Sequence, residues 1–396
     1  GESVFTLSPA NQTALTDFAR QMVKTPSFSG MEGTLGQLVA RRMEQVGFDH
    51  IAIDDMGNVI GRLGSGAGPR LLYYTHLDTV GIGDIAAWQK DPLAGVVENG
   101  ILHGRGAADP KGGLASAVYG AKLLQETNTP LRGTLYVVGG VEGEPAEGVA
   151  IRYLLEQGEL EPDYVILVSP TNLQLHRGHR GRLELEVTVR GRACHAAAPG
   201  QGINAIYGAA RIIFSLELMA TTLPEDPFLG QGTLAVTHIE NIERTKNVIP
   251  DCCKFIIDRR LTLGETEAHA LADVQSLLAK EDVEGTVDVT HFKSVSYTGK
   301  ACAERKSYPA WVTDEKDPLL KRASKSVQAA TGQKPRLWRW NFSTAGVYTM
   351  GYAGIPTIGF GPGEEQFAHT ANDHVALKDC FTAARAYAQI ARDLLK

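Results

Sequence analysis

The sequence predicts an α/β fold: a mostly parallel sheet flanked by helices, interrupted by an inserted α+β block. Three observations predict it. Short apolar runs at 70–75 (RLLYYT), 134–141 (TLYVVGGV) and 164–168 (YVILV) end in polar residues and alternate with helical stretches. After about residue 177 the pattern changes. GRLELEVTVRGRA alternates strictly, with Leu183, Leu185, Val187 and Val189 on one face, as in an antiparallel sheet with one wet side. The last hundred or so residues return to strand–helix alternation, and IPTIGFGPG reads as a buried strand entering a glycine loop. The expected division is 1–176 with 297–396 in the main domain, and 177–296 in the insert.

In chain order, SPANQTALTDFARQMV reads as an amphipathic helix. Ser8 caps it, Pro9 suits its first turn, and Leu15, Phe18, Met22 and Val23 share a face. EGTLGQLVARRMEQVGF is a second helix stopped near Gly47. Helices are expected at 110–126, opened by Pro110, and near 145–157, opened by Pro145. In the insert, the helix NAIYGAARIIFSLELMA precedes strands near 232–240 and 253–260 and a helix at 266–280.

The chain has 396 residues, 43% of them hydrophobic and 21% charged, with a net charge of −6. That balance argues against nucleic acid or a membrane surface as the main partner. No apolar run approaches the ~18 residues needed to cross a bilayer. The five cysteines are odd in number and form no Cys-x-x-Cys pair. A disulfide framework or a cysteine metal site is therefore not expected, and a cytoplasmic location is. The N-terminus lacks a basic start followed by an apolar core, so no signal peptide is expected.

Ligands of open α/β sheets bind beyond the carboxyl ends of the strands. His76 and Asp78 follow the first apolar run, Glu142 and Glu144 the second, and Ser169 the third. Asp109 precedes a helix, and His369 follows the last strand and its glycine loop. Two histidines and several carboxylates make the donor set of a zinc site built from nitrogen and oxygen. Singly, each has an ordinary explanation. Asp109 before Pro-Lys-Gly-Gly is a good helix cap, Glu144 suits a helix dipole, and His369 suits a surface loop. Together, at strand ends, they form a constellation.

The stretches THLDTV, GRGAADPKGG, VEGEPAEG, SPTNLQLHRGHRG, GRACHAAAPGQGINAI, NVIPD, DRRLTLGE and GFGPGEEQFAHTANDHV occur in the order of one family. On these motifs the chain resembles the co-catalytic zinc exopeptidases and deacylases. That family includes acetylornithine deacetylase, succinyl-diaminopimelate desuccinylase, aminoacylase and glutamate carboxypeptidase. The resemblance implies a zinc-exopeptidase-like catalytic domain with an inserted lid and dimerisation domain. It implies one or two zinc ions per chain, or another divalent metal, and a homodimer through the insert. By the same resemblance His76 binds one zinc, Asp109 bridges two, and Glu144 and His369 hold the other. Asp78 orients the His76 ring, as metal-bound histidines usually require. His195 reaches across a dimer to the substrate carbonyl, and Arg260 and Asn247 receive the carboxylate and backbone of a small amino-acid-like substrate.

The chain departs from that pattern at two positions. Gly143 stands where the family has its general-base glutamate, and Ser169 where a zinc-binding carboxylate precedes Pro-Thr. Glu142 is the candidate replacement base. Two residues from Glu144, it would point the same way on an extended strand. Glutamate at both 143 and 169 would then supply the missing groups. Two functions follow. The first is metal-dependent hydrolysis of an amide bond in N-acyl amino acids or small peptides. The second is a hydrolytically impaired member, with one metal or none, that binds or otherwise transforms such a ligand. The aromatic stretch WRWNFSTAG at 338–346 is read either as pocket lining or as buried packing.

Overall fold

A computed structural model describes residues 5–157, 160–243 and 245–396. Its main sheet has eight strands, in the order His50–Ile53, Val59–Leu63, Thr134–Gly140, Arg70–His76, Tyr164–Val168, Thr357–Phe360, Leu175–His176 and Leu337–Trp338. The four central strands run parallel, whereas the two at the His50 end are antiparallel to their neighbours. The parallel core is thus as expected, and the antiparallel edge is an addition.

The central strands are buried on both faces because their side chains alternate between two apolar clusters. Leu71, Tyr73, Leu135, Val137 and Ile166 face one side, where the helices Pro9–Val23, Gly33–Val46, Gly112–Glu126 and Leu377–Leu395 supply Phe18, Val39, Val118 and Tyr387. Leu72, Tyr74, Val138, Val165 and Leu167 face the other, against Leu154, Trp311 and Trp340. Such a strand can end in a polar residue only where the sheet stops, which puts His76 at the rim.

The smaller domain is an antiparallel sheet of Thr233–Asn241, Cys252–Leu261, Gly181–Arg190 and Gly285–Val289. The helices Ala205–Ala220 and Glu267–Lys280 cover one face of it, packing Ile212, Leu216 and Val274 on Leu185, Val187 and Phe255. The chain enters this sheet at Gly181 and leaves by Ser307–Tyr308. These two segments pair with each other, Arg182 opposite Tyr308 and Leu183 opposite Ser307. The hairpin His291–Val295 with Ala301–Arg305 packs back onto the main domain, where Phe292, Tyr297 and Cys302 meet Met56, Val141 and Ala146.

Two helices start later than their prolines suggest, at Gly112 and Val149. The first follows a π-helical turn, Ala107–Lys111, in which Asp109 has non-helical backbone angles, and the second follows a turn that carries Glu144 and Glu147.

Candidate functional site

The rim of the sheet gathers the expected metal ligands. Donor atoms of His76, Asp109 and Glu144 all lie within 4.8 Å of one another. His76 Nε2 is 3.2 Å from Asp109 Oδ1, and His369 Nε2 is 3.0 Å from Glu144 Oε1. His369 is held in the left-handed region, at φ +64°. That conformation is uncommon outside glycine, although histidine adopts it more readily than most side chains.

Asp78 organises the centre from behind. Its carboxylate is fully buried and accepts from Gly143 N–H at 2.9 Å, Glu144 N–H at 3.0 Å and Ser29 O–H at 2.6 Å. Its carbonyl oxygen lies 2.8 Å from His76 Nδ1, so His76 turns Nε2 toward Asp109. One residue thereby fixes both the His76 ring and the backbone of Glu144.

The electrostatics fit a cation. Burial disfavours the His76 imidazolium, but Asp109, Asp78 and Glu144 outweigh it and hold the His76 pKa well above the usual histidine value. The hydrogen bond to Glu144 raises that of His369 against its partial burial. Burial alone would raise the pKa of Asp78; its contacts with His76 and Ser29 and with the Glu144 amide leave it lowered. A field that favours protons on two imidazoles also favours a divalent cation. Two nitrogen and two carboxylate donors suit zinc or a similar ion. When bound, such an ion polarises a carbonyl and acidifies water.

A cavity of about 350 Å³ opens on these four residues. Arg182 and Arg260 of the smaller sheet line it, as do Glu147, Ser169 and residues 342–345. Arg260 is held by Asp258, with Nε 2.7 Å from Oδ1. The aromatic stretch is therefore divided. Phe342 lines the cavity, whereas Trp340 is buried beneath it.

Three expected site residues lie elsewhere. Glu142 is not on the cavity. Its backbone turns left-handed, at φ +54°, so the segment is not extended there and Glu142 and Glu144 do not point the same way. The Glu142 carboxylate is instead buried and accepts from Ser294 O–H at 3.1 Å. Burial also raises its pKa. His195 is exposed on the short strand Cys194–His195, and its Nδ1 accepts from Ala197 N–H. Asn247 is exposed beside it, its carbonyl accepting from Ala196 N–H. Neither reaches the cavity of its own chain.

The two departures from the motif have physical reasons. A Cβ on Gly143 would lie 2.4 Å from His76 Cβ, so no side chain fits at that position as the ligands stand. Ser169 Oγ accepts from the buried Trp340 indole at 2.9 Å, which uses the hydroxyl to satisfy a buried donor.

Sequence reasoning missed Asp373. It is buried and accepts from Gly106 N–H and Ala108 N–H, both at 2.8 Å, and from Arg105. It therefore shapes the loop just before Asp109. Its signal was its place four residues after His369 in the motif AHTANDHV.

Known proteins share the sequence and the fold of this chain. The profile of Peptidase family M20/M25/M40 matches residues 72–393. The chain is 38% identical over 380 residues to the protein YgeY of Escherichia coli strain K12, covering 96% of this chain and 94% of that protein. It is 31% identical over 337 residues to a succinyl-diaminopimelate desuccinylase of Cereibacter sphaeroides, covering 83% and 84%. Among solved structures, the aminopeptidase PepT of Bacillus cereus superposes with a TM-score of 0.73 at 20% identity, covering 98% of this chain and 99% of that one. YXEP of Bacillus subtilis, described as a dinuclear metal-binding peptidase of the M20 family, superposes with a TM-score of 0.71 at 18% identity, covering 98% and 99%. At those identities the superpositions speak for the fold. Sequence and fold together show that the chain is a hydrolytic enzyme of Peptidase family M20/M25/M40, a family of metal-dependent hydrolases of amide bonds.

Proposed function

We propose that the chain hydrolyses the amide bond of an N-acyl amino acid or small peptide, with zinc held by His76, Asp109, Glu144 and His369. The observation that supports this reading is the convergence of these four residues on one cavity that also receives Arg260 and Arg182. A guanidinium there suits the carboxylate of an amino-acid product, because its planar fork offers paired donors. The residues in reach divide the work as follows. Asp78 holds His76 and the Glu144 backbone in place, and Arg260 orients the substrate. The proton of the attacking water goes to a carboxylate that lines the cavity. Asp109, Glu144 and Glu147 are those carboxylates among the described residues.

Dimerisation belongs to the same proposal. Tyr207, Phe214 and Leu218 on the helix Ala205–Ala220 are 66%, 60% and 58% exposed, and among the described residues the neighbouring strand Thr233–Asn241 is at the edge of its sheet. A second copy seated on this face would cover them, and the exposed His195 would be free to serve the other copy's cavity. A cytoplasmic location is in keeping with five free cysteines, and no described helix is long and apolar enough to cross a membrane.

Gly143 and Ser169 favour a second reading, in which the same ligand is bound with little turnover. One experiment separates the two. Metal-stripped protein is titrated with Zn²⁺, and release of free amine is followed across a panel of N-acyl amino acids and dipeptides. Zinc-dependent release supports hydrolysis. Binding of these ligands without release supports the second reading, and absence of metal binding overturns the first.

A further inference from the structure

The turn that follows Glu144 is gripped by residues of the segments joining the two domains. Lys306 Nζ donates to Pro145 O at 2.6 Å. Arg182 Nη1 donates to Glu147 Oε1 at 2.7 Å. Glu304 Oε2 accepts from Gly148 N–H at 3.3 Å, while its other oxygen accepts from Arg152 at 3.0 Å. Glu304 and Lys306 are both buried. The approach is close: a Cβ at 148 would lie 2.4 Å from Glu304 Oε1, so the Glu304 carboxylate would have to shift.

Arg182 and Lys306 are tied to the smaller sheet through their backbones, whereas Glu304 stands on the hairpin that packs against the main domain. Lys306 O accepts from Glu184 N–H, and Lys306 N–H donates to Thr290 O. Arg182 pairs with Tyr308 across the junction, and Tyr308 O–H donates to Glu304 at 2.6 Å. Lys306 thus has its backbone in one domain and its ammonium on the ligand turn of the other.

We propose that Lys306, with Glu304 and Arg182, is a positioning residue for the metal ligand Glu144: the seating of the smaller domain sets where that carboxylate stands. The inference rests on the metal-binding reading above. No helix or strand spans residues 144–148, so the turn has little regular structure to hold it. Its carbonyl, side-chain and amide anchors come instead from the junction. A shift of the smaller domain pulls on Pro145, Glu147 and Gly148 together, and Glu144 is the next residue. Asp78 holds the Glu144 amide from the opposite side, so the ligand sits between two fixed supports.

The test measures metal affinity and ligand geometry directly. Lys306→Met and Lys306→Arg are stripped of metal. Their Zn²⁺ affinity is then read by chelator competition, and their Co²⁺ visible spectrum is recorded. Leu278→Ala, in the core of the smaller domain, controls for lost stability alone. Lys306→Met is expected to weaken Zn²⁺ binding at least about tenfold, the usual scale for residues that support a metal ligand, and to alter the Co²⁺ spectrum. Lys306→Arg should recover most of both, and Leu278→Ala should lower the melting temperature without changing either. Should Lys306→Met not fold, Arg182→Met is read by the same assays. Wild-type affinity and spectrum in the variant overturn the proposal while leaving the metal site standing. A wild type that binds no Zn²⁺ overturns the metal site and this proposal with it.

Discussion

Gly143 lies against the side chain of His76, with no room between them for a methyl group: a Cβ at 143 would come within 2.4 Å of His76 Cβ and 2.9 Å of Cγ. The position is filled by its neighbour, so a glutamate cannot be placed there without moving His76. Gly143→Ala is expected to lose roughly 1–3 kcal/mol of stability, the usual cost of overpacking, and to weaken Zn²⁺ binding. Gly143→Glu, alone or with Ser169→Glu, is expected to lower metal affinity instead of speeding hydrolysis. Urea denaturation and chelator competition check both.

Glu142 is buried and bonded to Ser294, away from the cavity. Loss of a general base costs about 10²–10⁴-fold in rate. Glu142→Gln is expected to fall far short of that loss, whereas Glu147→Gln, on the cavity wall, is expected to reduce kcat. Steady-state kinetics on the best substrate of the panel decide between them.

Asp78 accepts from Ser29 O–H, Gly143 N–H and Glu144 N–H while contacting His76. Asp78→Ala leaves those donors without an acceptor and frees the ring. Metal affinity should drop by roughly 10–100-fold, the range for supporting partners of metal-bound histidine, as read by Zn²⁺ titration of the folded variant.

Glu32 is fully buried; its carboxylate accepts from Glu142 N–H at 2.8 Å. Burial, helped by the charges of Asp78 and Glu142 and opposed by that amide, pushes its pKa up to about 7 from the ordinary 4.5. A raised folded-state value means that the folded protein holds the proton more tightly than the unfolded chain. The stability this contributes is full below about 4.5 and is lost as pH rises through about 7. Relative to wild type, Glu32→Gln should gain stability over that window, reaching roughly 3 kcal/mol above it. Urea unfolding of both proteins at intervals from pH 4.5 to 8 tests the sign.

Much of the site was legible because strand ends are legible. The middles of the runs at 70–75 and 134–141 are apolar on both faces, so the polar residues just beyond them stand at the rim; His76 and, past the turn at Glu142, Glu144 line the cavity there. Asp109 and His369 fell into place through the motif around each. What the sequence could not reveal depended on backbone turns and on contacts between distant residues. The left-handed turn at Glu142 breaks the period-two rule that aimed it at the cavity. The Ser169–Trp340 bond spans 171 positions, and no local pattern encodes it. Pro145 suggested a helix start, but the junction residues hold the turn open until Val149. His195 and Asn247 were placed by resemblance, and within a single chain they stand on an exposed surface.

The strand that leaves for the smaller domain and the strand that returns are zipped to each other at Arg182–Tyr308 and Leu183–Ser307. The outer domain is therefore slung on a two-ply ribbon instead of two separate cords. A paired ribbon has fewer ways to bend than two separate strands, so Arg182, which sits on it, is presented to the cavity from a defined place.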